Sequence, residues 1–106
     1  MKVVAVCACP TGVAHTYMAK KALENAAKKL GYDIKVEAQG ALGIENEITQ
    51  GEVDSADVVL LAVEVAIAKN ERFENKPKVT IPIQLAVKNP EGVLKKIKEK
   101  LTEQMH

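Results

Sequence analysis

The fold of this protein is decided by one stretch near the amino terminus, Val3-Val4-Ala5-Val6-Cys7-Ala8-Cys9-Pro10-Thr11-Gly12-Val13-Ala14-His15-Thr16. Its first six residues form a short apolar run that is rich in β-branched valine, and such a run predicts a fully buried strand. Gly12 allows close approach of the backbone in the loop that follows, and the run that begins near Ala14 favours a helix. The stretch therefore predicts a strand, a tight loop and a helix N-terminus in direct succession.

The rest of the chain continues to alternate strands with helices. Strands are predicted at residues 2–8, 33–38, 57–63 and 78–83, and helices at 14–30, 50–55, 84–88 and from 90 onward. The second strand reads as an edge strand, and residues 39–43 as a loop. This alternation predicts a three-layer α/β fold, with a four-stranded parallel sheet that is Rossmann-like, doubly wound and covered by helices on both faces. The length of 106 residues predicts a single domain over residues 1–106.

Charge and composition exclude several classes of function. The chain has 15 basic and 14 acidic residues, and a net charge of +1 is too small to attract nucleic acid or an anionic membrane. Aromatic residues make up only 3% of the sequence, which is too few for a base-stacking surface. No apolar run reaches the roughly 20 residues that cross a bilayer, and Met1 leads directly into a strand. We therefore expect a cytoplasmic protein with no signal peptide, no membrane insertion and no nucleic-acid partner.

The two cysteines, Cys7 and Cys9, are separated by one residue. A disulfide across so short a spacing has poor geometry, so reduced thiols in a reducing compartment are expected. A four-ligand metal site needs more nearby Cys or His than this chain supplies, and we predict neither a metal nor a cofactor. Cys7 lies within the predicted strand and is expected to belong to the core.

Cys9 stands where the loop begins, at the carboxyl end of the first strand. The first turn of a helix has unpaired N–H groups, which favour anions and stabilise a thiolate. These donors, with two threonine hydroxyls and an imidazole, suit a phosphate group. We predict that the Cys9 thiolate is the catalytic nucleophile and carries a phosphoryl group. The predicted phosphate-binding residues are Thr11, Gly12, Val13, Ala14, His15 and Thr16.

Structural roles are the alternative for some of these residues. A cysteine after a buried strand usually serves packing, and the Pro, Gly, Thr and His that follow Cys9 are what favour chemistry. His15 has two open interpretations, since it either contacts the phosphoryl group or caps and packs on its own helix.

A family resemblance becomes specific at this point. The run Cys9-Pro10-Thr11-Gly12-Val13-Ala14-His15-Thr16-Tyr17-Met18-Ala19 resembles the signature of the fructose-family IIB components of the bacterial phosphoenolpyruvate-dependent sugar phosphotransferase system. The similarity covers nearly the whole chain. It includes Val36-Glu37-Ala38-Gln39-Gly40, Gly43-Ile44-Glu45-Asn46-Glu47, Ala56-Asp57-Val58-Val59-Leu60, Glu71-Arg72-Phe73 and Asn89-Pro90.

The resemblance implies a phosphotransferase. Cys9 would accept phosphate from a phosphohistidine on a IIA protein and pass it to fructose or a fructose-like sugar bound by the IIC membrane component. Gln39 and Gly40 would border the same face. Residues 65–69 lack the acidic residues of the commonest fructose pattern. In this segment the chain resembles the fructose-like branch of the family instead.

Three other functions fit the sequence less well. A low-molecular-weight phosphatase clamps phosphate with an arginine six positions after its cysteine, where this chain has His15, and the chain has no Asp-Pro pair to serve as general acid. A thiol redox protein needs Cys-x-x-Cys. A non-catalytic nucleotide- or flavin-binding module would have a glycine-rich G-x-G-x-x-G or Walker loop, which is absent from the sequence.

Overall fold

The structure is a computed structural model that describes residues 1–9, 13–40 and 43–104. The described part of the chain contains five strands, four α-helices and one 3₁₀ helix. The strands are β1 (Lys2–Ala8), β2 (Asp33–Gly40), β3 (Gly43–Glu45), β4 (Val58–Val63) and β5 (Lys78–Ile81). The helices are α1 (Val13–Leu30), α2 (Gln50–Ser55), α3 (Ile83–Lys88) and α4 (Pro90–Gln104), and the 3₁₀ helix is Asn70–Phe73.

The strands form one mixed sheet in the order β3-β2-β1-β4-β5. Neighbouring strands are parallel, except that β3 runs antiparallel to β2. The α/β class is confirmed, but the predicted four-stranded sheet is wrong in its strand number. The chain continues β2 to Gly40 and returns through Gly43, whose φ of +104° favours glycine, to pair as β3. The predicted loop over residues 39–43 thus contains strand residues, and β2 is not an edge strand.

The two faces of the sheet have separate cores. Helices α1, α3 and α4 pack over one face, against Val3, Ala5 and Cys7 of β1. The short helix α2 and the 3₁₀ helix cover the other face, where Phe73 is fully buried beside Val4 and Val6. This division follows from the two-residue period of a strand, and the prediction that Cys7 is a core residue is confirmed.

Helix ends fall where the sequence offers stop and start residues. Gly31 follows α1 with a φ of +76°, the conformation typical of a helix C-terminus. Pro82 ends β5 two residues earlier than predicted, because proline has no N–H for a strand pair. The Asn89 side chain then accepts the Gly92 N–H at 3.2 Å and caps α4, as predicted.

The strand order changes direction beside β1. The chain leaves β1 through α1 to reach β2 on one side, and later enters β4 on the other side. In open α/β sheets such a switch point leaves a crevice at the carboxyl ends of the strands, where ligands bind. Cys9 directly follows β1 at this edge of the sheet.

Candidate functional site

An open cleft of about 360 Å³ lies at the carboxyl edge of the sheet. Three segments contribute to it: the end of β1, the end of β2 and the chain that follows β4. Cys9 is half-buried and reaches this cleft, so its side chain is not sealed within the aliphatic core. The described lining residues are Ala8, Cys9, Gln39, Gly40, Val65, Ala66 and Ala68.

The two cysteines have different environments although one residue separates them. Cys7 is fully buried between β1 and the helices on its face. Burial, followed by the nearby negative charge of Glu24, raises the pKa of the Cys7 thiol to about 12. Cys7 therefore stays protonated at neutral pH, and Cys9 is the cysteine placed for nucleophilic chemistry.

The structure describes the helical end of the predicted phosphate-binding loop. Pro10, Thr11 and Gly12 lie outside the described residues, as do the side chains of Val13 and Ala14. Helix α1 begins at Val13, so its first-turn N–H groups lie four to seven residues after Cys9.

Thr16, in the first turn of α1, is 2% exposed. Its hydroxyl oxygen has no hydrogen-bond partner in the part of the chain that the structure describes. Buried hydroxyl groups are normally hydrogen-bonded, and a contact between the Thr16 hydroxyl and a phosphoryl group stays a prediction.

His15 is exposed and lines a different groove, of about 250 Å³, between α1 and α3. The other described residues of that groove are Met18, Gln84, Val87 and Lys88. Its imidazole is not among the described groups that line the Cys9 cleft. A contact between His15 and a phosphoryl group stays a prediction.

A buried ion pair lies behind the cleft. Glu37 of β2 is fully buried, and its two carboxylate oxygens accept hydrogen bonds from Arg72 Nη1 at 2.8 Å and Nη2 at 3.0 Å. The Ile48 N–H and the Gln39 side-chain amide donate to the same carboxylate at 2.8 and 2.7 Å. Burial works to raise the pKa of Glu37, but the hydrogen bonds from Arg72, Ile48 and Gln39 outweigh it and lower the pKa.

Neither this ion pair nor the cleft wall formed by Val65, Ala66 and Ala68 was predicted from the sequence. One signal for the pair was present. Arg72 is the single arginine among 15 basic residues, and arginine is the cation best suited to a buried bidentate contact with a carboxylate. Gln39 and Gly40 do line the cleft beside Cys9, at the face where the resemblance implied them.

The described residues include neither a membrane-spanning helix nor a metal-binding cluster. In residues 1–9, 13–40 and 43–104, no helix combines the length and the apolar character needed to span a membrane. The same ranges hold no cluster of three His, Cys, Asp or Glu side chains suited to a metal ion.

Comparisons with known proteins give the family. Residues 4–96 match the family described as "PTS system, Lactose/Cellobiose specific IIB subunit". The "PTS system fructose-like EIIB component 2" of Escherichia coli K12 is 49% identical over 102 residues, which is 96% of each chain. The "PTS system fructose-like EIIB component 1" of the same strain is 46% identical over 98 residues, covering 92% of this chain and 91% of that protein.

Solved structures agree with this assignment. The solution structure of an Enzyme IIB subunit of the PTS system from Escherichia coli K12 has a TM-score of 0.90 at 43% identity, covering 99% of this chain and 97% of that one. A domain of a fructose-specific IIABC component from Borrelia burgdorferi has a TM-score of 0.84 at 50% identity, with 90% of each chain covered. The predicted resemblance to fructose-family IIB components is thereby confirmed, and the chain belongs to the IIB family of the phosphotransferase system.

Proposed function

We propose that this protein is a phosphoryl carrier that uses Cys9 as its phosphorylated residue. The observation that carries the proposal is the contrast between two neighbouring thiols. Cys7 is sealed in the core, whereas Cys9 opens into a cleft at the switch point of the sheet. Membership of the IIB family, whose members act as phosphotransferase components with IIA and IIC partners, supports the same reaction.

Two displacements at phosphorus make up the proposed cycle. The Cys9 thiolate attacks the phosphorus of a phosphohistidine on a IIA protein; the S–P bond forms, the P–N bond breaks, and the histidine leaves with the electron pair. A hydroxyl of a sugar held by the IIC component then attacks the same phosphorus. The O–P bond forms, the S–P bond breaks and the thiolate is regenerated, while the hydroxyl proton passes to solvent. The names of the relatives support fructose or a fructose-like sugar as the acceptor.

The N-terminus of α1 would hold the phosphoryl oxygens during both steps. Positioned donors around the equatorial oxygens supply most of the catalysis in phosphoryl transfer. In the proposal these donors come from Thr11, Gly12, Val13, Ala14, His15 and Thr16. Among these, Thr16 can be tested most directly, because its hydroxyl is buried in the first turn of α1 and has no hydrogen-bond partner among the described residues.

The test is phosphorylation by a IIA protein of a fructose-type system, followed by intact-mass and peptide mass spectrometry. One phosphoryl group is expected on Cys9. Cys9→Ser should form no phosphocysteine, whereas the matched variant Cys7→Ser should still accept phosphate at Cys9. Rapid release of phosphate from p-nitrophenyl phosphate by the unmodified protein would favour a phosphatase and refute the carrier.

A second pair of variants tests the phosphate-binding residues. Thr16→Val keeps the shape of the side chain and removes its hydroxyl, while Thr16→Ser keeps the hydroxyl. Thr16→Val should slow phosphorylation about 10–100-fold, the value of one hydrogen bond to a charged group, without lowering stability. Equal rates for the two variants would exclude the hydroxyl from the site.

A further inference from the structure

We infer that Gln39 is a positioning residue of the Cys9 site, which clamps the main chain of Ala68 and so fixes the wall of the cleft opposite Cys9. The effect of the clamp on phosphoryl transfer rests on the proposed function. The clamp itself does not, because it concerns only how the Gln39 side chain holds the chain at Ala68. The wall is defined here as residues 65–68, three of which line the cleft.

The clamp is a two-point contact between an amide side chain and a peptide unit. Gln39 Nε2 donates to the Ala68 carbonyl at 3.1 Å, and the Ala68 N–H donates to Gln39 Oε1 at 2.9 Å. Both main-chain groups of Ala68 are therefore paired with one side chain. No strand pairing supports this part of the chain, since β4 ends at Val63 and β5 begins at Lys78.

The buried carboxylate of Glu37 fixes the orientation of the Gln39 amide. Gln39 Nε2 also donates to Glu37 Oε2 at 2.7 Å, and only the NH₂ end of an amide can approach a carboxylate in this way. A flipped amide would place two oxygens against each other and reverse both contacts with Ala68. Glu37 is itself held by Arg72, so the clamp is attached to a fully buried ion pair.

Arg72 holds the same segment from its other end. Its Nε donates to the Lys69 carbonyl at 2.8 Å, and its Nη2 lies 3.4 Å from the Ala68 carbonyl. Lys69 has a φ of +60°, which is uncommon for a residue other than glycine. Such a conformation persists where surrounding contacts impose it, and here these contacts come from the ion pair.

Apolar packing contributes little to the position of the wall. Val65, Ala66 and Ala68 are exposed, and only Ile67 packs against the core, as a half-buried side chain. The polar clamp therefore decides how far the wall stands from Cys9. Removing it should widen the cleft and admit larger molecules to the sulfur, while the sulfur itself is untouched.

Alkylation of Cys9 in the unphosphorylated protein tests the clamp without any phosphoryl donor. The variant is Gln39→Leu. The matched control is Gln50→Leu, which removes an exposed amide that donates to the Arg72 carbonyl at 3.1 Å, away from the cleft. Rates are measured with iodoacetamide and with a bulky fluorescent maleimide. Gln39→Leu should raise the ratio of the maleimide rate to the iodoacetamide rate about fivefold, as expected for losing about one net hydrogen bond. Gln50→Leu should leave the ratio unchanged.

Two further measurements complete the test. In the unmodified protein, the Ala68 N–H should exchange with solvent more slowly than its exposure implies; exchange at the rate of an unstructured peptide would overturn the inference even if Gln39→Leu fails to fold. With phosphorylated IIA as donor, Gln39→Leu should raise KM about fivefold and change kcat much less, since in this inference Gln39 shapes the cleft and does not contact the phosphoryl group.

The outcomes separate the two proposals. An unchanged alkylation ratio in Gln39→Leu would overturn the clamp, whatever the phosphorylation result. An increased ratio in a protein that never forms phosphocysteine would support the clamp and refute the carrier function.

Discussion

The Glu37–Arg72 ion pair gives the sharpest stability prediction, because replacing Arg72 with methionine leaves a buried carboxylate without its cation. Glu37 is fully buried and the Arg72 side chain is 9% exposed. Removing one partner of such a pair typically costs about 3–5 kcal/mol, since the remaining charge is uncompensated. Most domains of this size have a total stability of about 5–15 kcal/mol. Arg72→Met should therefore lower the melting temperature by about 15 °C or more.

Urea unfolding followed by far-UV circular dichroism at pH 7 measures this cost. The control is Lys69→Met, which removes the Lys69–Glu47 pair at 2.8 Å, where both side chains are about half exposed. A surface pair of this kind is worth about 1 kcal/mol or less. The loss in Arg72→Met should shrink at pH 4, where the unpaired Glu37 can bind a proton and bury a neutral group.

A double variant separates the charge effect from lost packing. Glu37→Met combined with Arg72→Met should be more stable than Arg72→Met alone, because the double variant buries no unpaired charge. A cost below about 1 kcal/mol for Arg72→Met would refute the reasoning, since that is the value of an exposed pair. It would mean that water reaches Glu37 once the guanidinium is gone.

Three other predictions test separate parts of the structure. Iodoacetamide at pH 8 should label Cys9 and spare Cys7 in the folded protein, because Cys7 is buried with a pKa raised to about 12; modified Cys7 peptides in mass spectrometry would contradict this. The pKa of Glu37 is lowered in the folded state. The ionised carboxylate therefore stabilises the fold above the unfolded pKa of about 4.3, and this contribution is lost as the pH falls through the folded pKa. Glu37→Gln should flatten this part of the curve of unfolding free energy against pH, measured by urea titrations between pH 3 and 7. Thr49 accepts the Glu52 N–H and completes a capping box, so Thr49→Ala should cost about 1 kcal/mol and Thr49→Ser much less in the same assay.

Local sequence patterns were sufficient for the elements whose residues repeat with a clear period. The continuous apolar run predicted β1 with its observed bounds, and the stripe of apolar residues predicted α1 to within one residue. The position of Cys9 at the carboxyl end of β1 followed from these two elements. The α/β architecture could therefore be predicted from the local pattern of apolar residues within each element.

Strand β3 was missed for a physical reason. It has three residues, too few for a period to be visible, and it is stabilised by pairing with the end of β2 rather than by its own burial. Its only sequence signal is Gly43, which is equally typical of a loop. The mistaken edge position of β2 has the same origin.

The polar network behind the cleft also depends on contacts distant in sequence. Glu37 and Arg72 are 35 positions apart, and Gln39 and Ala68 are 29 apart. A strand that alternates apolar and polar residues normally exposes its polar side to water, so the pattern of β2 gives no sign that Glu37 is buried. It is buried because α2 and the 3₁₀ helix cover that face of the sheet.

The margins of the sheet have a consequence for the behaviour of the protein at high concentration. Its outermost strands, β3 and β5, have only three and four residues, and Pro77 and Pro82 flank β5. Long, flat margins with free main-chain groups recruit other chains into fibrils, whereas brief ones interrupted by proline and lysine do not. With a net charge of only +1, electrostatic repulsion gives little protection against self-association. We therefore expect the short borders of the sheet, rather than its net charge, to limit association between sheet edges in concentrated samples.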